Sequence, residues 1–188
     1  MFKRFFDFFL SVFLIILLFP LLLLIFLLSS ADFRVWPIYS QKRTGFNEKE
    51  FNFYKFRTMP LDAEKNGPVI ANSNDSRASF FGKILRKTFF DELPQIFNVL
   101  KGDMSFVGPR PERSFFHQGF CKKFPEWKKR VTVLPGMTGL AQVAGAGSTN
   151  PMKKISLDLN YIESRSLFLD LKILLMTARL FLRKLIGL

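Results

Sequence analysis

One cysteine, Cys121, and one histidine, His117, stand in a chain of 188 residues. A single cysteine excludes an intramolecular disulfide, and the lone thiol reads as inert. With one histidine, a histidine-based zinc site lacks its ligands. Acid is scarce as well: 15 Asp and Glu face 28 Lys and Arg, a net charge of +13 that calls for anionic partners. No internal repeat and no low-complexity tract is found, which argues against a solenoid or a disordered tail. The length allows one domain with a real core and excludes two large ones.

What the chain has instead is grease. Hydrophobic residues make up 48% of it, with 25 phenylalanines. Their abundance beside so many cations favours a lipid-contacting protein over a nucleic-acid binder. A binder of nucleic acid needs a solvent-facing basic patch with aromatic stacking residues. Here the cations are scattered through apolar helices and loops, so nucleic acid is not expected as a partner.

Phe8 to Leu28 contains no charge and, as a straight helix, measures about 30 Å, enough to cross a bilayer. It is too long for a signal peptide, and no A-x-A cleavage site follows it. Pro20 sits in its middle and predicts a kink or break, because proline removes a backbone hydrogen bond and crowds the preceding turn. Two topologies follow: a bent span, or a hairpin that turns at Phe19-Pro20 and returns to the face it came from. Cations flank both ends (Lys3 and Arg4 before; Arg34, Lys42 and Arg43 after), whereas a single span normally shows an asymmetry. This favours the hairpin. The expected division is residues 1–34 as a re-entrant membrane segment broken at Pro20 and residues 35–188 as a catalytic domain on the cytoplasmic face.

The expected fold is mixed α/β and mostly helical, with small extended segments and interfacial amphipathic helices around a compact core. Residues 35–59 read as short strands about a turn, and Pro60 to Ser79 as a polar loop. Helices are expected over 80–87, from Asp91 to a C-terminal Gly102, over 113–123, and from Pro151 to Leu185 with an interruption near Ser164 to Ser166. In the last helix Lys172, Arg179 and Arg183 fall within about 40° of one another, a basic stripe suited to lying flat in a membrane interface. Asp170 points the other way, among Leu167, Ile173, Leu174, Thr177 and Phe181. A carboxylate there needs a partner: either a core arginine in a structural pair, or a group that it orients.

Asp91-Glu92-Leu93-Pro94 is the most informative tetrapeptide. Asp91 reads as a helix N-cap with Pro94 in the first turn. An Asp so placed is kept ionised by the helix dipole and can serve as a nucleophile. Glu92 offers a hard oxygen suited to magnesium, which would neutralise a diphosphate. Phosphate chemistry also needs cations. Arg86 and Lys87 precede the pair, and Arg110 is held between two prolines in Gly108-Pro109-Arg110-Pro111, a stiff mount for bidentate phosphate binding. Each cation alone is more often a solvated surface group; their joint occurrence near Asp91-Glu92 carries the weight. Ala144 to Ser148 is glycine-rich but has neither P-loop nor dinucleotide spacing and reads as a turn.

In this order the segments resemble the bacterial sugar transferases, the monotopic phosphoglycosyl transferases that begin glycan assembly on polyprenyl phosphate. The resemblance covers nearly the whole chain. It is carried by Tyr54-Lys55-Phe56-Arg57-Thr58-Met59, by Leu85-Arg86-Lys87-Thr88 running into Asp91-Glu92-Leu93-Pro94-Gln95, and by Asn98-Val99-Leu100-Lys101-Gly102-Asp103-Met104-Ser105. Gly108 to Arg113, Pro135 to Val143 and Leu169 to Ile173 complete it. It implies that Asp91 attacks the β-phosphate of a UDP-sugar and expels UMP. Polyprenyl (undecaprenyl) phosphate would then take the phosphosugar from the aspartate, in a capsule, exopolysaccharide, O-antigen or glycoprotein pathway at the inner membrane. Glu92 would hold Mg2+. Lys55, Arg86 and Arg110 match positions tied to phosphate binding or active-site structure, and Asp170 matches a carboxylate near the site. The lipid bilayer and a second copy of the chain are the further expected partners. The family's N-terminal helix is re-entrant.

Two departures stand out. Phe19 occupies the place where relatives often carry Ser before the proline, so no hydroxyl is there to satisfy freed backbone groups. Ala144-Gly145-Ala146 replaces a run that commonly holds a polar or aromatic residue, then glycine and a base, which bears on donor preference. The chain resembles the minimal catalytic form, without the extra helices and domain of larger relatives. The rival expectation is a non-catalytic membrane scaffold for glycan-assembly enzymes, for which Asp91 and Glu92 would be dispensable.

Overall fold

The computed structural model describes residues 2–65, 67, 69, 75–146 and 150–185. Part of the polar loop before Ser79, and Gly147 and Ser148 of the glycine-rich turn, fall outside them. The fold is mostly helical with two small sheets.

The apolar front end is one helix, α1, Phe2–Phe33, with Pro20 inside it. Of the kink or break expected at Pro20, the break is absent: the helix continues through the proline, which removes a single backbone hydrogen bond. Asp7, Ser11, Leu22, Ile25 and Ser29 are its buried residues, at spacings that place them on one stripe. The remaining faces are exposed and apolar, Phe9, Ile16 and Leu24 among them.

That stripe is fastened to the rest of the chain at both ends. The Arg4 guanidinium donates to the carbonyls of Val99 (2.5 Å) and Leu100 (2.7 Å), and the Phe106 amide donates to Asp7 Oδ1 (3.2 Å). Leu10, Leu14 and Leu18 pack on the main core, and Leu22 and Ile25 join Phe56 and Leu85 in a second cluster. At the far end the Ser79 hydroxyl donates to Asp32 (2.6 Å).

A hairpin follows. β1, Ile38–Thr44, pairs antiparallel with β2, Glu50–Phe56, in register from Ile38↔Phe56 to Thr44↔Glu50. Period-two alternation puts Phe51, Phe53 and Lys55 on one face of β2. Phe51 and Phe53 are buried in the core, so Lys55 is aimed the same way. Asn98 secures this strand: its Oδ1 accepts from the Tyr54 amide (3.1 Å) and its Nδ2 donates to the Asn52 carbonyl (2.7 Å).

Next come α2, Phe80–Thr88, capped by Ser79, and α3, Gln95–Lys101, which stops at Gly102 with φ 95° as expected of a C-terminal glycine. β3, Ser105–Val107, runs parallel to β4, Gly136–Thr138. Between them lie α4, Ser114–Lys123, and a 3-10 segment, Pro125–Thr132. The strands meet closely: a Cβ on Gly136 would sit 2.1 Å from the Gly108 nitrogen, so only glycine permits the approach. A short α5, Leu140–Val143, leads to α6, Pro151–Ser164, and α7, Leu167–Leu185. The interruption expected at Ser164 to Ser166 is thus present.

On α7, Lys172, Arg179 and Arg183 are exposed beside an exposed apolar ridge of Phe168, Leu175 and Leu182. The inner face packs Ile173 into the core and sets the Thr177 hydroxyl 2.7 Å from that of Thr138.

Candidate active site

Asp91 is not a helix N-cap. Phe89 ends α2 in the left-handed region, φ 59°, and the chain then makes a 3-10 turn, Phe90–Glu92. Pro94 occupies the N-cap place of α3 and offers no side-chain cap. The local sequence signal fails because the positive φ at Phe89, uncommon for a residue with a bulky side chain, swings the Asp91 side chain inward. Its carboxylate is buried, at 5% exposure.

Lys55 meets it there. Its Nζ lies 2.7 Å from Glu92 Oε1 and 3.3 Å from Asp91 Oδ2. Arg110 reaches Glu92 from the opposite side with both nitrogens, Nη1 at 2.9 Å from Oε2 and Nη2 on Oε1. The two carboxylates are therefore unequal. Glu92 is gripped by two cations; burial would raise its pKa, but Arg110 and Lys55 outweigh this and hold it far below the usual carboxylate range. Among the described residues Asp91 has only the longer contact to Lys55. Burial dominates, and the neighbouring charge of Glu92 adds to it, so its pKa is raised above the ordinary 3.8.

A buried carboxylate whose negative charge is poorly offset gains by bonding to an electrophile, and the surrounding cations suit an electrophile that arrives with phosphate. Two further groups are underpaired. Arg86, in the last turn of α2, has a buried Nη1 with no partner among the described residues. Neither amide atom of Gln95, fully buried directly after Pro94, has one either. Sequence reasoning singled out Arg86 and missed Gln95, whose signal was a polar residue on the buried side of a short apolar helix.

Lys55, Arg110 and Glu92 are thus brought together around Asp91, while Arg86 joins them through no hydrogen bond or ion pair among the described residues. Asp170 stands elsewhere. Its Oδ2 pairs with Lys3 of α1 (2.5 Å) and its Oδ1 accepts from the Tyr161 hydroxyl (2.7 Å), whose single proton is shared with the Val107 carbonyl (3.1 Å). The partner of Asp170 is thus a lysine from the other end of the chain and not a core arginine. His117 and Cys121 lie 3.3 Å apart on α4, and burial pushes the thiol up from its ordinary value, in keeping with an inert cysteine.

Among known proteins, a sequence profile described as bacterial sugar transferase matches residues 1–184. The UDP-N-acetylgalactosamine-undecaprenyl-phosphate N-acetylgalactosaminephosphotransferase of Aeromonas hydrophila is 39% identical over 94% of this chain and 43% of its own length. The UDP-glucose:undecaprenyl-phosphate glucose-1-phosphate transferase of Klebsiella pneumoniae is also 39% identical, over 94% of this chain and 39% of its own length. In Bacillus subtilis (strain 168) the sugar transferase EpsL, named as uncharacterized, is 38% identical over 94% of this chain and 85% of its own. The chain spans less than half the length of the first two.

Proposed function

Because the chain belongs to the bacterial sugar transferase family, we propose that it moves a sugar phosphate from a UDP-sugar to undecaprenyl phosphate and releases UMP, as the membrane step of a glycan pathway. The observation that carries this reading is the buried, weakly compensated Asp91 carboxylate beside Lys55, Glu92 and Arg110.

In the first step an Asp91 oxygen attacks the phosphorus that bears the sugar. The bond from that phosphorus to the oxygen bridging to UMP breaks, UMP leaves with its electron pair, and the sugar phosphate is left on Asp91 as a mixed anhydride. In the second step a phosphate oxygen of the lipid attacks the same phosphorus and the Asp91 carboxylate departs. Lys55 neutralises the nucleophile's surroundings in both resting states. Arg110 and Arg86 are cations for the phosphate oxygens, Arg110 by turning from Glu92 and Arg86 through its unpartnered nitrogen. A preorganised cluster of this kind acts on charge that develops in the transition state.

Magnesium belongs to the proposal under a condition. Among the described residues no three Asp, Glu, His or Cys side chains form a metal cage. Both Glu92 oxygens are already held. Mg2+ ordinarily takes one or two carboxylates and fills its shell with water and phosphate. Glu92 therefore suits it only together with the donor diphosphate, whose charge the ion would neutralise.

The reading places α1 in the bilayer as a re-entrant element, bent at Pro20 without a break in the helix, with the remainder on the cytoplasmic face. Support comes from its two ends: Lys3, Arg4 and Asp7 at one and Asp32 at the other all bond to the same body. A span perpendicular to the membrane would carry one end some 30 Å from that body. The outward basic and apolar ridges of α7 suit the interface.

The test is incubation with a UDP-sugar and Mg2+ without lipid acceptor. A phosphosugar adduct on Asp91 by mass spectrometry is the expected result; UMP release without one refutes the covalent route, and no UMP from any donor of a UDP-sugar panel refutes the activity.

A further inference from the structure

Arg110 carries much of the site's positive charge, yet its loop has few ways of being held. Pro109 and Pro111 have no backbone N–H, so the carbonyls are the handles that Gly108 to Glu112 offers. Four of them are taken, by three elements: β4, the 3-10 segment and β1. Gly136 N donates to the Pro109 carbonyl (3.0 Å), Arg130 Nη2 to that of Arg110 (2.9 Å), Arg43 Nη1 to that of Pro111 (2.8 Å), and Thr44 N to that of Glu112 (3.0 Å).

The donor on Arg110 itself is the one with the most built around it. Arg130 is 4% exposed, and its Nε is bound to Asp158 Oδ2 at 2.7 Å, with side chains 3% and 1% exposed. Its guanidinium lies 4.1 Å over the ring of Trp127, itself 1% exposed. One plane is thus fixed by three contacts: carboxylate at the edge, indole on the face, carbonyl at the tip. Asp158 is presented by α6, where Lys154 one turn earlier pairs with Glu112 of the same loop. Burying so many charges is costly and need not stabilise a fold. A directed purpose explains the arrangement: the guanidinium is a rigid strut between α6 and the main chain of Arg110.

We propose that Arg130, locked by Asp158 and Trp127, is a positioning residue that sets the reach of Arg110 toward Glu92 and the donor's phosphates without touching substrate itself. This rests on the activity proposed above.

Arg130→Lys tests it. A lysine keeps the charge for Asp158 but is a single point donor, and cannot hold that carboxylate and the Arg110 carbonyl in one plane. The control is Tyr161→Phe, on α6 like Asp158, which removes buried hydrogen bonding to Val107 and Asp170 and leaves the loop alone. Two readouts are taken on the full chain in detergent or nanodiscs: the KM for UDP-sugar by UMP release, and hydrogen–deuterium exchange over residues 136–138, whose Gly136 amide bonds the Pro109 carbonyl.

Arg130→Lys should raise donor KM by about 10-fold, the worth of one hydrogen bond to a charged group, leave the KM for lipid phosphate within twofold, and speed exchange at 136–138 but not over β2, which gives the loop no hydrogen bond among those named. Tyr161→Phe should lower the melting temperature without moving donor KM. An unchanged donor KM and exchange in Arg130→Lys, or an equal KM rise in Tyr161→Phe, overturns the positioning role while wild-type UMP release still upholds the activity. A wild-type protein that releases no UMP from any UDP-sugar overturns the activity and the positioning role with it.

Discussion

Two groups of charge, the rear one buried and the front one part-buried around Asp91, lie on either side of the Arg110 loop and are built differently. Behind it, Arg130 is matched with Asp158 and Lys154 with Glu112, one cation to one anion. In front, Glu92 takes the close contacts of both Lys55 and Arg110, and Asp91 is left with one contact at 3.3 Å. The rear group is closed: its side chains already have what they need. The front group is unevenly shared, so one carboxylate is buried without full compensation. Burial alone does not mark a functional carboxylate; Asp158 at 1% exposure is more buried than Asp91 at 5%. What marks it is the distribution of partners.

The comparison breaks at Asp91 first. Asp91→Asn should lower UMP release by at least about 10^3-fold, as loss of a nucleophile does. It should leave the melting temperature equal or higher, because a buried and poorly compensated charge has been removed. Full activity in this variant would end the contrast between front and rear.

Next in size is Asp158→Ala, which strands the Arg130 guanidinium in the interior. Breaking a buried pair this way costs about 3–5 kcal/mol, to be read from denaturant unfolding. A loss under about 1 kcal/mol would mean that water compensates Arg130.

Asp170→Asn sharpens the comparison from a third position. It weakens contacts to Lys3 and Tyr161 and should cost about 1–2 kcal/mol, with donor KM unchanged. A selective loss of turnover at unchanged stability would return Asp170 to the active site.

The smallest effect is in pH dependence. The raised pKa of Asp91 means that between 3.8 and its folded value the native state holds a proton that the unfolded chain has lost, so stability falls as pH rises through that window. Glu92 has the opposite sign: its depressed pKa contributes stability that is present above about 4.5 and lost as pH falls toward its folded value. Melting curves of wild type and Asp91→Asn against pH should diverge above pH 3.8, with the variant gaining. In kcat/KM, the acid limb should lie above the ordinary carboxylate value.

Much of the fold could be read locally. Alternating phenylalanines in β2, the glycine at the end of α3 and the serines between α6 and α7 are short-range signals and the structure follows them. Asp91 as an N-cap was the local signal that failed, since the left-handed Phe89 that precludes it has no propensity signature. Pro20 was expected to kink or break α1, and the helix runs on through it. The site was half legible: Asp91, Glu92, Lys55, Arg110 and Asn98 lie in recognisable segments, whereas Arg130 and Asp158 sit in stretches where nothing nearby hints at their partners.

Sequence alone determined which carboxylates are adjacent, which arginine is stiffened by prolines and which segment is apolar enough to seek lipid, because covalent neighbours and periodicity are local properties. Only the tertiary structure decided who neutralises whom: Lys3 with Asp170 across 167 positions, Arg110 with Glu92 across 18, Arg130 with Asp158 across 28. Charge is compensated through space, and the space between two side chains is set by the packing of elements that carry neither of them.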